Sequence, residues 1–231
     1  MVVFNKYTFH PGGNMVIVGR NNTGKTDFVT KKIIQDLINN NDINFICIYT
    51  QSTKPVYLNK YTSVDLNNTP LMLTYKPVTF HNQYKQIEKQ YSETKTQSLI
   101  IIDNPDFNFE TSETFKNILV NGPKYGITLV VVIEDPNTIP SEYYKHFSKL
   151  ITTKEPNNYS LENIYTTIVE NMFPPNVNKN LDFYLFNTIH LYLEKDEYFM
   201  VTDKSIHYKL TIEYDYELAM LNQKLKEVSF N

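Results

Sequence analysis

Residues 14–26, NMVIVGRNNTGKT, place the strongest constraint on what this chain folds into. The apolar run 15–18 predicts a buried strand, and the apolar spacing after Lys25 predicts a helix. Between them, Gly19, Gly24, Lys25 and Thr26 follow the spacing G-x-x-x-x-G-K-S/T. A loop of this spacing between a strand and a helix directs backbone N–H groups, and the positive end of the helix dipole, towards a polyphosphate. The motif therefore predicts a nucleoside triphosphate site.

The positions of this loop have different expected roles. We expect Lys25 to reach the β- and γ-phosphates and the Thr26 hydroxyl to bind Mg²⁺. The alternative, an ordinary turn that contains glycine, is disfavoured because two of the chain's six glycines fall at the motif's glycine positions. The residues expected to bind nucleotide are Gly19, Arg20, Asn21, Asn22, Thr23, Gly24, Lys25 and Thr26.

Composition limits the class of protein. With 231 residues, 41% of them apolar, the chain has enough material for one α/β domain with its own core. Cys47 is the one cysteine, which excludes an intramolecular disulfide. No apolar run is long enough for a membrane span, so we expect no membrane partner. The net charge of −3 leaves a nucleic-acid partner open only through a local lysine cluster.

Apolar strands alternate with helical patterns through the first two thirds of the sequence. The predicted strands are 15–18, 45–49, 99–102, 127–133 and 148–153, and the predicted helices between them are 25–39, 79–94, 110–120 and 141–147. Continuous apolar strands in such an alternation are typical of a parallel sheet covered on both faces. We therefore predict an α/β fold of the P-loop NTPase type, with a mainly parallel sheet and helices on both faces.

The last third of the sequence departs from this alternation. Its patterns predict helices at 160–172, 179–194 and 216–228 and a β-hairpin at 197–202 and 206–214. We interpret residues 1–231 as a single P-loop ATPase domain. In this interpretation the core covers about residues 14–153, and about residues 154–231 form a helical and β-hairpin C-terminal extension.

A phosphate loop needs a carboxylate to hold Mg²⁺, and such a carboxylate commonly ends a neighbouring apolar strand. Asp103 directly follows the apolar run 99–102 and is the candidate for this role, together with the hydroxyl of Thr26. The alternative role of Asp103 is to cap the next turn. Because the phosphate loop is already present, we favour magnesium binding.

Hydrolysis further needs a group that positions or deprotonates water. Asn104 follows the strand-end acid and can orient water, although an amide cannot accept its proton. Asp106 and Glu134 are the candidate bases, and Glu134 directly follows the predicted strand 127–133. If that strand lies beside the phosphate loop, Glu134 points towards the γ-phosphate; otherwise it is a solvated strand-end acid.

Arg20 is the only arginine in the sequence. Phosphoryl transfer gains from an arginine that compensates charge in the transition state. That cation therefore has to be Arg20 reaching out of its loop, a lysine such as Lys124, or a group of a partner protein. The scarcity of arginine weighs against a nucleoside or nucleotide kinase, which clamps phosphates with several arginines.

The order of these motifs resembles that of the genome-packaging ATPases of poxviruses and other large DNA viruses, in the FtsK–HerA superfamily. The phosphate loop is followed by the strand that ends at Asp103 and then by residues 117–140, NILVNGPKYGITLVVVIEDPNTIP. This segment has the pattern of a helix, a glycine turn, a strand that closes on a polar residue, and a proline. The likeness covers about residues 14–214 in order and spacing.

Individual letters depart from the pattern of that family at four positions. Asn22 replaces a mid-loop glycine, and Asn104 replaces a second acid after the strand aspartate. Glu134 stands at the position of a sensor glutamine, and Pro123 stands at the position of an arginine. The resemblance therefore implies nucleotide binding more directly than hydrolysis.

The resemblance implies an ATPase in which Gly19, Gly24, Lys25 and Thr26 bind ATP and Asp103 holds Mg²⁺ beside Thr26. It further implies a homo-oligomeric ring that drives double-stranded DNA into a preformed capsid, at a capsid or portal vertex. The implied location is the host cytoplasm (the viral factory) or the virion. Two alternatives stay open: a nucleotide-binding structural module of a viral assembly with weak or no hydrolysis, and a nucleoside or nucleotide kinase.

Overall fold

The order of the strands decides which residues meet at one edge of the sheet. The computed structural model describes residues 2–3, 11–34, 45–50, 71–103, 106–173, 181–194, 197–202 and 206–209. The strands are β1 (Val2–Val3), β2 (Asn14–Val18), β3 (Phe45–Thr50), β4 (Leu71–Leu73), β5 (Ser98–Asp103), β6 (Ile127–Ile133), β7 (Phe147–Thr153), β8 (Tyr198–Thr202) and β9 (Ile206–Lys209). In the described part of the chain they form one nine-stranded sheet, in the order β1-β9-β8-β7-β2-β6-β5-β3-β4.

Six consecutive strands of this sheet, from β7 to β4, run parallel. β2 pairs with β6 and β7, β5 pairs with β6 and β3, and β3 pairs with β4. β8 is antiparallel to both β7 and β9, and β1 pairs in parallel with β9. The predictions of a mainly parallel sheet and of a C-terminal β-hairpin are therefore confirmed for the described residues.

Helices connect and cover these strands. The α-helices are α1 (Lys25–Phe28), α2 (Pro77–Thr94), α3 (Glu113–Asn121), α4 (Asn158–Ile164), α5 (Glu170–Met172) and α6 (Phe183–Tyr192). α1 continues as a π-helical segment, Val29–Ile34, and a second π-helical segment, Tyr165–Val169, joins α4 to α5. Short 3-10 helices span Gly122–Tyr125, Pro136–Thr138 and Ser141–His146. None of the described helices has both the length and the apolar character needed to cross a membrane.

The strand β2 shows how the sheet buries both of its faces. All five of its residues are buried, and alternate side chains point to opposite sides. Val16 and Val18 belong to a large core that includes side chains of α2, α3, α4 and α6. Met15 and Ile17 belong to a smaller core on the other face, which contains Phe28 of α1 and residues of its π-helical extension. Helices therefore cover both faces of the sheet, as predicted.

The strand β6 is the central element of the site described below. Its seven residues, Ile127–Ile133, are all buried. A run of apolar, mostly β-branched residues suits a strand that has neighbours on both sides. β6 lies between β2, which precedes the phosphate loop, and β5, which ends at Asp103.

The helix α3 begins three residues later than the sequence pattern predicts. The helical pattern starts at residue 110, but α3 starts at Glu113 because the Ser112 hydroxyl accepts a hydrogen bond from the Phe115 N–H (3.2 Å) and caps the helix. Glycine and proline after α3 do not end helical structure at once, since Gly122–Tyr125 forms a 3-10 helix. Residues 35–39 and 179–180 of two predicted helices, residues 210–214 of the predicted hairpin and the whole predicted helix 216–228 lie outside the described residues.

Candidate nucleotide-binding site

The carboxyl ends of three parallel strands bring the predicted site residues to one edge of the sheet. β2 ends directly before Gly19, β6 ends directly before Glu134, and β5 ends at Asp103. The prediction that Asp103 ends a strand next to that of the phosphate loop is wrong, because β6 takes the position between β2 and β5. Glu134 is therefore the strand-end acid adjacent to the loop, and Asp103 lies one strand further away.

The loop turns through two residues with left-handed backbone conformations. Asn22 has a φ of 61° and Gly24 a φ of 90°. Asparagine tolerates this region better than most residues with a side chain, so Asn22 can occupy a position where the resembled family has glycine. Gly24 is also the N-cap of α1, and no side chain caps this helix start. No N-cap side chain therefore competes with an anion for the N–H groups at the start of this helix.

Gly19 occupies a position that has no room for a side chain. A Cβ atom there would collide with the hydroxyl oxygen of Thr153 and come within 3.0 Å of the hydroxyl oxygen of Thr23. The Gly19 N–H donates a hydrogen bond to the Ile133 carbonyl oxygen (3.3 Å), which ties the start of the loop to β6. The first glycine of the motif is thus required by the close approach of β7.

The side chain of Lys25 is buried at the start of α1. Lys25 is 9% exposed, and its Nζ donates hydrogen bonds to the carbonyl oxygens of Gly19 and Arg20, each at 2.6 Å. The same Nζ lies 3.9 Å from Oε1 of Glu134. These contacts hold the ammonium group inside the curve of the loop.

Burial lowers the pKa of Lys25, because a charged ammonium loses its hydration there. The carboxylates of Glu134 and Asp103 act in the opposite direction and raise the pKa, Glu134 more strongly. Burial has the larger effect, so the net change of the pKa is downward. An anion bound beside Lys25 would raise this pKa and favour the charged ammonium.

The two predicted magnesium ligands lie on different elements. Thr26 is the second residue of α1 and is half-buried. Asp103 is half-buried at the end of β5, where it pairs with Thr50 of β3. A hydroxyl and a carboxylate are hard oxygen donors of the kind that Mg²⁺ takes, usually with one or two carboxylates and with phosphates and water completing its shell. Among the described residues no group of three or more His, Cys, Asp or Glu is placed to hold a metal ion.

The candidate bases differ in position. Glu134 follows β6 directly, and its side chain is 49% exposed while still contacting the buried Lys25. Asp106 is exposed and follows β5 after a gap of two residues, 104–105, that lies outside the described part of the chain. Asn104 falls in that gap, so its predicted role stays a prediction. Of the two candidate bases, Glu134 has the contact with the phosphate-loop lysine.

Arg20 does not extend away from its loop towards another molecule. Its Nε donates to Oε2 of Glu155 (2.7 Å) and its Nη2 lies 2.5 Å from Oε1 of the same residue, so the pair is bidentate. Glu155 is 3% exposed, and its Oε1 also accepts a hydrogen bond from the Asn157 N–H (2.9 Å). The hypothesis that Arg20 acts as a finger in trans is therefore disfavoured. Lys124, the other candidate, is exposed and donates to Oδ1 of Asn121 (3.1 Å).

The sequence patterns did not indicate the residues from later in the chain that hold the loop. Thr153 donates a hydrogen bond to the hydroxyl oxygen of Thr23 (2.7 Å), and the Tyr198 hydroxyl donates to the carbonyl oxygen of Gly24 (3.0 Å). One signal for Glu155 was present in the sequence, since this acid comes two residues after the predicted strand 148–153. Nothing comparable marks Thr153 or Tyr198.

The donor groups together fit a magnesium-bound triphosphate. The buried lysine, the left-handed turn at Gly24 and the uncapped start of α1 offer cationic and N–H groups to phosphate oxygens. Thr26 and Asp103 are the residues that could hold Mg²⁺. The carboxylate of Glu134 lies 3.9 Å from the lysine ammonium, which is too far for a hydrogen bond.

No protein-family model and no curated protein matches the sequence. The structure is similar to that of the genome-packaging NTPase B204 from Sulfolobus turreted icosahedral virus 2 in complex with ATPγS, with a TM-score of 0.62 and 14% identity. It is also similar to B204, the DNA-packaging ATPase from Sulfolobus turreted icosahedral virus, with a TM-score of 0.65 and 16% identity. Each of these alignments covers 89% of this chain and 100% of the other.

A third similar structure is EssC (ATPases 2 and 3) from Geobacillus thermodenitrificans, with a TM-score of 0.51 and 13% identity. That alignment covers 94% of this chain and 44% of EssC. At these identities the similarity concerns the fold alone. The resemblance to viral genome-packaging ATPases is confirmed at that level, and the chain has the α/β fold of P-loop ATPases with a mainly parallel sheet.

Proposed function

We propose that this chain is an ATPase that drives double-stranded DNA into a viral capsid. The observation that carries the ATP-binding part of the proposal is the buried ammonium of Lys25, held inside the loop by the carbonyl oxygens of Gly19 and Arg20 and 3.9 Å from Glu134. A triphosphate would place its negative charge beside this ammonium. The loop residues Gly19–Thr26 are therefore assigned to ATP binding.

Hydrolysis requires a group that takes a proton from the attacking water. Glu134 is the candidate, because it ends the strand beside the loop and its half-exposed carboxylate is accessible to water. Thr26 and Asp103 are assigned to Mg²⁺, which when bound neutralises charge on the phosphate oxygens. Asn104, next to Asp103 in the sequence, is assigned to orienting the water.

The coupling to DNA is proposed from the fold. The B204 proteins, which align with this chain over their whole length, are described as genome-packaging and DNA-packaging enzymes. By analogy, we infer a homo-oligomeric ring at a capsid or portal vertex, in the viral factory of the host cytoplasm or in the virion. Because the net charge is −3, contact with DNA falls to local groups of lysines.

A nucleotide-binding structural module with weak or no hydrolysis is the second candidate, and one observation favours it. The only arginine of the chain, Arg20, is engaged by Glu155. An arginine finger is worth about 10³–10⁵ in turnover in NTPases that use one. The same pairing weighs against a nucleoside or nucleotide kinase, which needs several arginines around its phosphates.

Turnover of ATP, measured with and without double-stranded DNA, tests the proposal. We expect magnesium-dependent hydrolysis that DNA accelerates. Stoichiometric binding of ATP with no turnover would favour the structural module, and phosphate transfer to an added nucleoside would favour the kinase. A chain that bound no ATP would contradict the assignment of the site itself.

A further inference from the structure

Three residues that come later in the chain than the phosphate motif contact the loop. Thr153 is the last residue of β7, Glu155 follows it by two positions, and Tyr198 begins β8. Thr153 and Tyr198 are direct partners in the antiparallel pairing of β7 with β8, so they lie side by side at one end of that ladder. We call Thr153, Glu155 and Tyr198 the clamp residues.

Each clamp residue holds a different position of the loop. Glu155 binds the guanidinium of Arg20 through both carboxylate oxygens, at 2.5 and 2.7 Å. Thr153 donates to the Thr23 hydroxyl, which in turn donates to the Arg20 carbonyl oxygen (2.8 Å). That carbonyl oxygen also accepts from Lys25, so the contact leads directly to the phosphate-binding lysine.

Tyr198 holds the end of the loop where α1 begins. Its hydroxyl donates to the carbonyl oxygen of Gly24 (3.0 Å), the residue in the left-handed conformation that starts the helix. Its ring packs against Phe28 one turn later, with 4.7 Å between ring centroids. The Gly24 carbonyl oxygen also accepts the Phe28 N–H (2.8 Å). Tyr198 therefore fixes both the turn and the first turn of the helix.

The burial of the clamp makes these contacts costly to lose. Glu155 is 3% exposed, so removing Arg20 would leave a buried carboxylate whose charge is no longer paired, although Oε1 would still accept the Asn157 N–H. Thr153 is buried and Tyr198 is 5% exposed. In such surroundings a hydrogen bond holds its two groups at a defined separation.

We propose that Glu155, Thr153 and Tyr198 are positioning residues that keep the phosphate loop in the shape that accepts a triphosphate. The inference rests on the proposed ATPase function and extends it, because Glu155 and Tyr198 belong to the C-terminal extension and not to the motif. A loop that is already in its binding shape binds ligand without the cost of ordering itself. The apparent affinity for ATP then depends on the fraction of molecules whose loop is held by the clamp.

The test compares variants that remove one contact each and keep the shape of the side chain. Tyr198→Phe removes a hydroxyl and keeps the ring against Phe28, and Glu155→Gln removes the charge that binds Arg20. Tyr165→Phe is the matched control, because the Tyr165 hydroxyl donates to the Leu181 carbonyl oxygen (2.9 Å), another buried bond of the extension. The readouts are the Kd for ATP, the kcat and KM of ATP hydrolysis, and the Tm without nucleotide.

We expect Tyr198→Phe to raise the Kd and KM for ATP about threefold to tenfold, because one hydrogen bond is lost. Glu155→Gln should raise both constants by roughly tenfold or more, because a charge-assisted bond is lost. The kcat at saturating ATP should change less than about twofold, because bound ATP selects the correctly shaped loop. Tyr165→Phe should leave Kd, KM and kcat at wild-type values. A purely structural role would instead lower the Tm of all three variants alike and leave KM unchanged.

The inference is overturned if wild-type chain binds ATP and both clamp variants bind it as tightly as Tyr165→Phe does. If Glu155→Gln fails to fold, the Tyr198→Phe result decides alone. A second prediction concerns the ion pair between Arg20 and Glu155. The double variant Arg20→Gln, Glu155→Gln should weaken ATP binding no more than the more severe of the two single variants, because both changes remove the same pair. Additive losses of affinity would contradict this prediction. Wild-type chain that binds no ATP overturns the proposed function itself, which separates the two failures.

Discussion

The carboxylate of Glu134 lies 3.9 Å from the ammonium of Lys25, although Glu134 follows the end of β6, Lys25 begins α1, and more than 100 positions separate them. The contact exists because β6 pairs in parallel with β2, which brings the residues that follow both strands to the same edge. Lys25 is buried and Glu134 is half-exposed, so the acid faces both the lysine and the solvent. A base for water attack needs that combination of a fixed position and access to water.

Replacing the loop lysine should abolish function. We expect Lys25→Ala to lower ATP affinity and turnover by at least about a hundredfold, because the phosphate charge loses its buried partner. Binding is measured by titration with ATP and turnover by release of phosphate. Lys89→Ala is the control, since Lys89 is an exposed lysine of α2 and should behave as wild type. Unchanged turnover in Lys25→Ala would remove the loop from the mechanism.

The strand-end acid Asp103 should be needed for magnesium. We expect Asp103→Asn to lower magnesium-dependent turnover by roughly a hundredfold and to shift the magnesium concentration that supports half-maximal activity upwards, since a charged oxygen ligand is lost. Turnover is measured across a magnesium titration at fixed ATP. Asp135→Asn serves as control, because Asp135 is exposed and caps the 3-10 helix Pro136–Thr138. Wild-type magnesium dependence in Asp103→Asn would exclude Asp103 as a ligand.

Glu134 and Asp106 are the two candidate bases, and one experiment separates them. The resemblance to a family with glutamine at this position predicts that Glu134→Gln is tolerated or even activating. The contact of Glu134 with Lys25 leads us instead to expect Glu134→Gln to lower kcat by about 10²-fold or more, the usual contribution of general base catalysis. ATP affinity should be kept or slightly increased, because a negative charge beside the phosphates is removed. Asp106→Asn should keep wild-type kcat. The opposite pattern in single-turnover measurements would assign the base to Asp106, and full activity in both variants would exclude both.

Position 19 should accept only glycine without a loss of stability. We expect Gly19→Ala to lower the free energy of unfolding by about 1–3 kcal/mol, because the new methyl group collides with the Thr153 hydroxyl. Urea unfolding measures this difference. Adding Thr153→Ala removes the colliding oxygen, so the double variant should lose less stability than the sum of the two single variants. Strict additivity would mean that the two positions do not compete for space.

His190 should make the protein less stable in acid. His190 is buried, its Nδ1 contacts the Phe186 carbonyl oxygen (2.9 Å), and its Nε2 contacts the Thr152 hydroxyl (2.9 Å). Since a carbonyl oxygen only accepts, Nδ1 carries the proton and Nε2 accepts from Thr152. Burial lowers the pKa of His190 to about 4 from a usual 6.5, so in the folded protein His190 becomes protonated only near pH 4 and below.

The sign of this effect follows from proton binding. Between the two pKa values the unfolded chain binds more protons at His190 than the folded chain, so stability falls as the pH falls through that window. Below both values the loss contributed by this one histidine is about 3 kcal/mol. The free energy of unfolding, measured with urea at pH 7, 5.5 and 4, should fall more steeply with falling pH for wild type than for His190→Gln. Equal slopes would contradict the assignment.

Local sequence patterns predicted the parts of this fold that contiguous residues encode. The phosphate loop and the strands β2, β5 and β6 appear at or within one residue of their predicted bounds, because each is a continuous apolar run or a fixed motif. The position of β6 between β2 and β5 was not predictable in this way. Strand order depends on which elements pack together, and the sequence spacing of the strands does not state it.

The contacts around the candidate site were harder to predict than its members. Glu134 was a candidate from its place at a strand end, and its contact with Lys25 needed the sheet order. The pairing of Arg20 with Glu155 joins residues 135 positions apart, and nothing in the sequence near either residue indicates the other as its partner. The π-helical form of Val29–Ile34 was missed as well, since its apolar spacing fits an α-helix equally well.

The pairing of the chain's one arginine with Glu155 limits how this chain can contact a further anion. At neutral pH a side-chain contact with a DNA backbone then falls mainly to lysine. A lysine ammonium is a compact point charge that acylation of the amine can erase, whereas a guanidinium keeps its charge. If the proposed assembly contacts DNA through lysines, acylation would erase those contacts and leave the pairing of Arg20 with Glu155 intact.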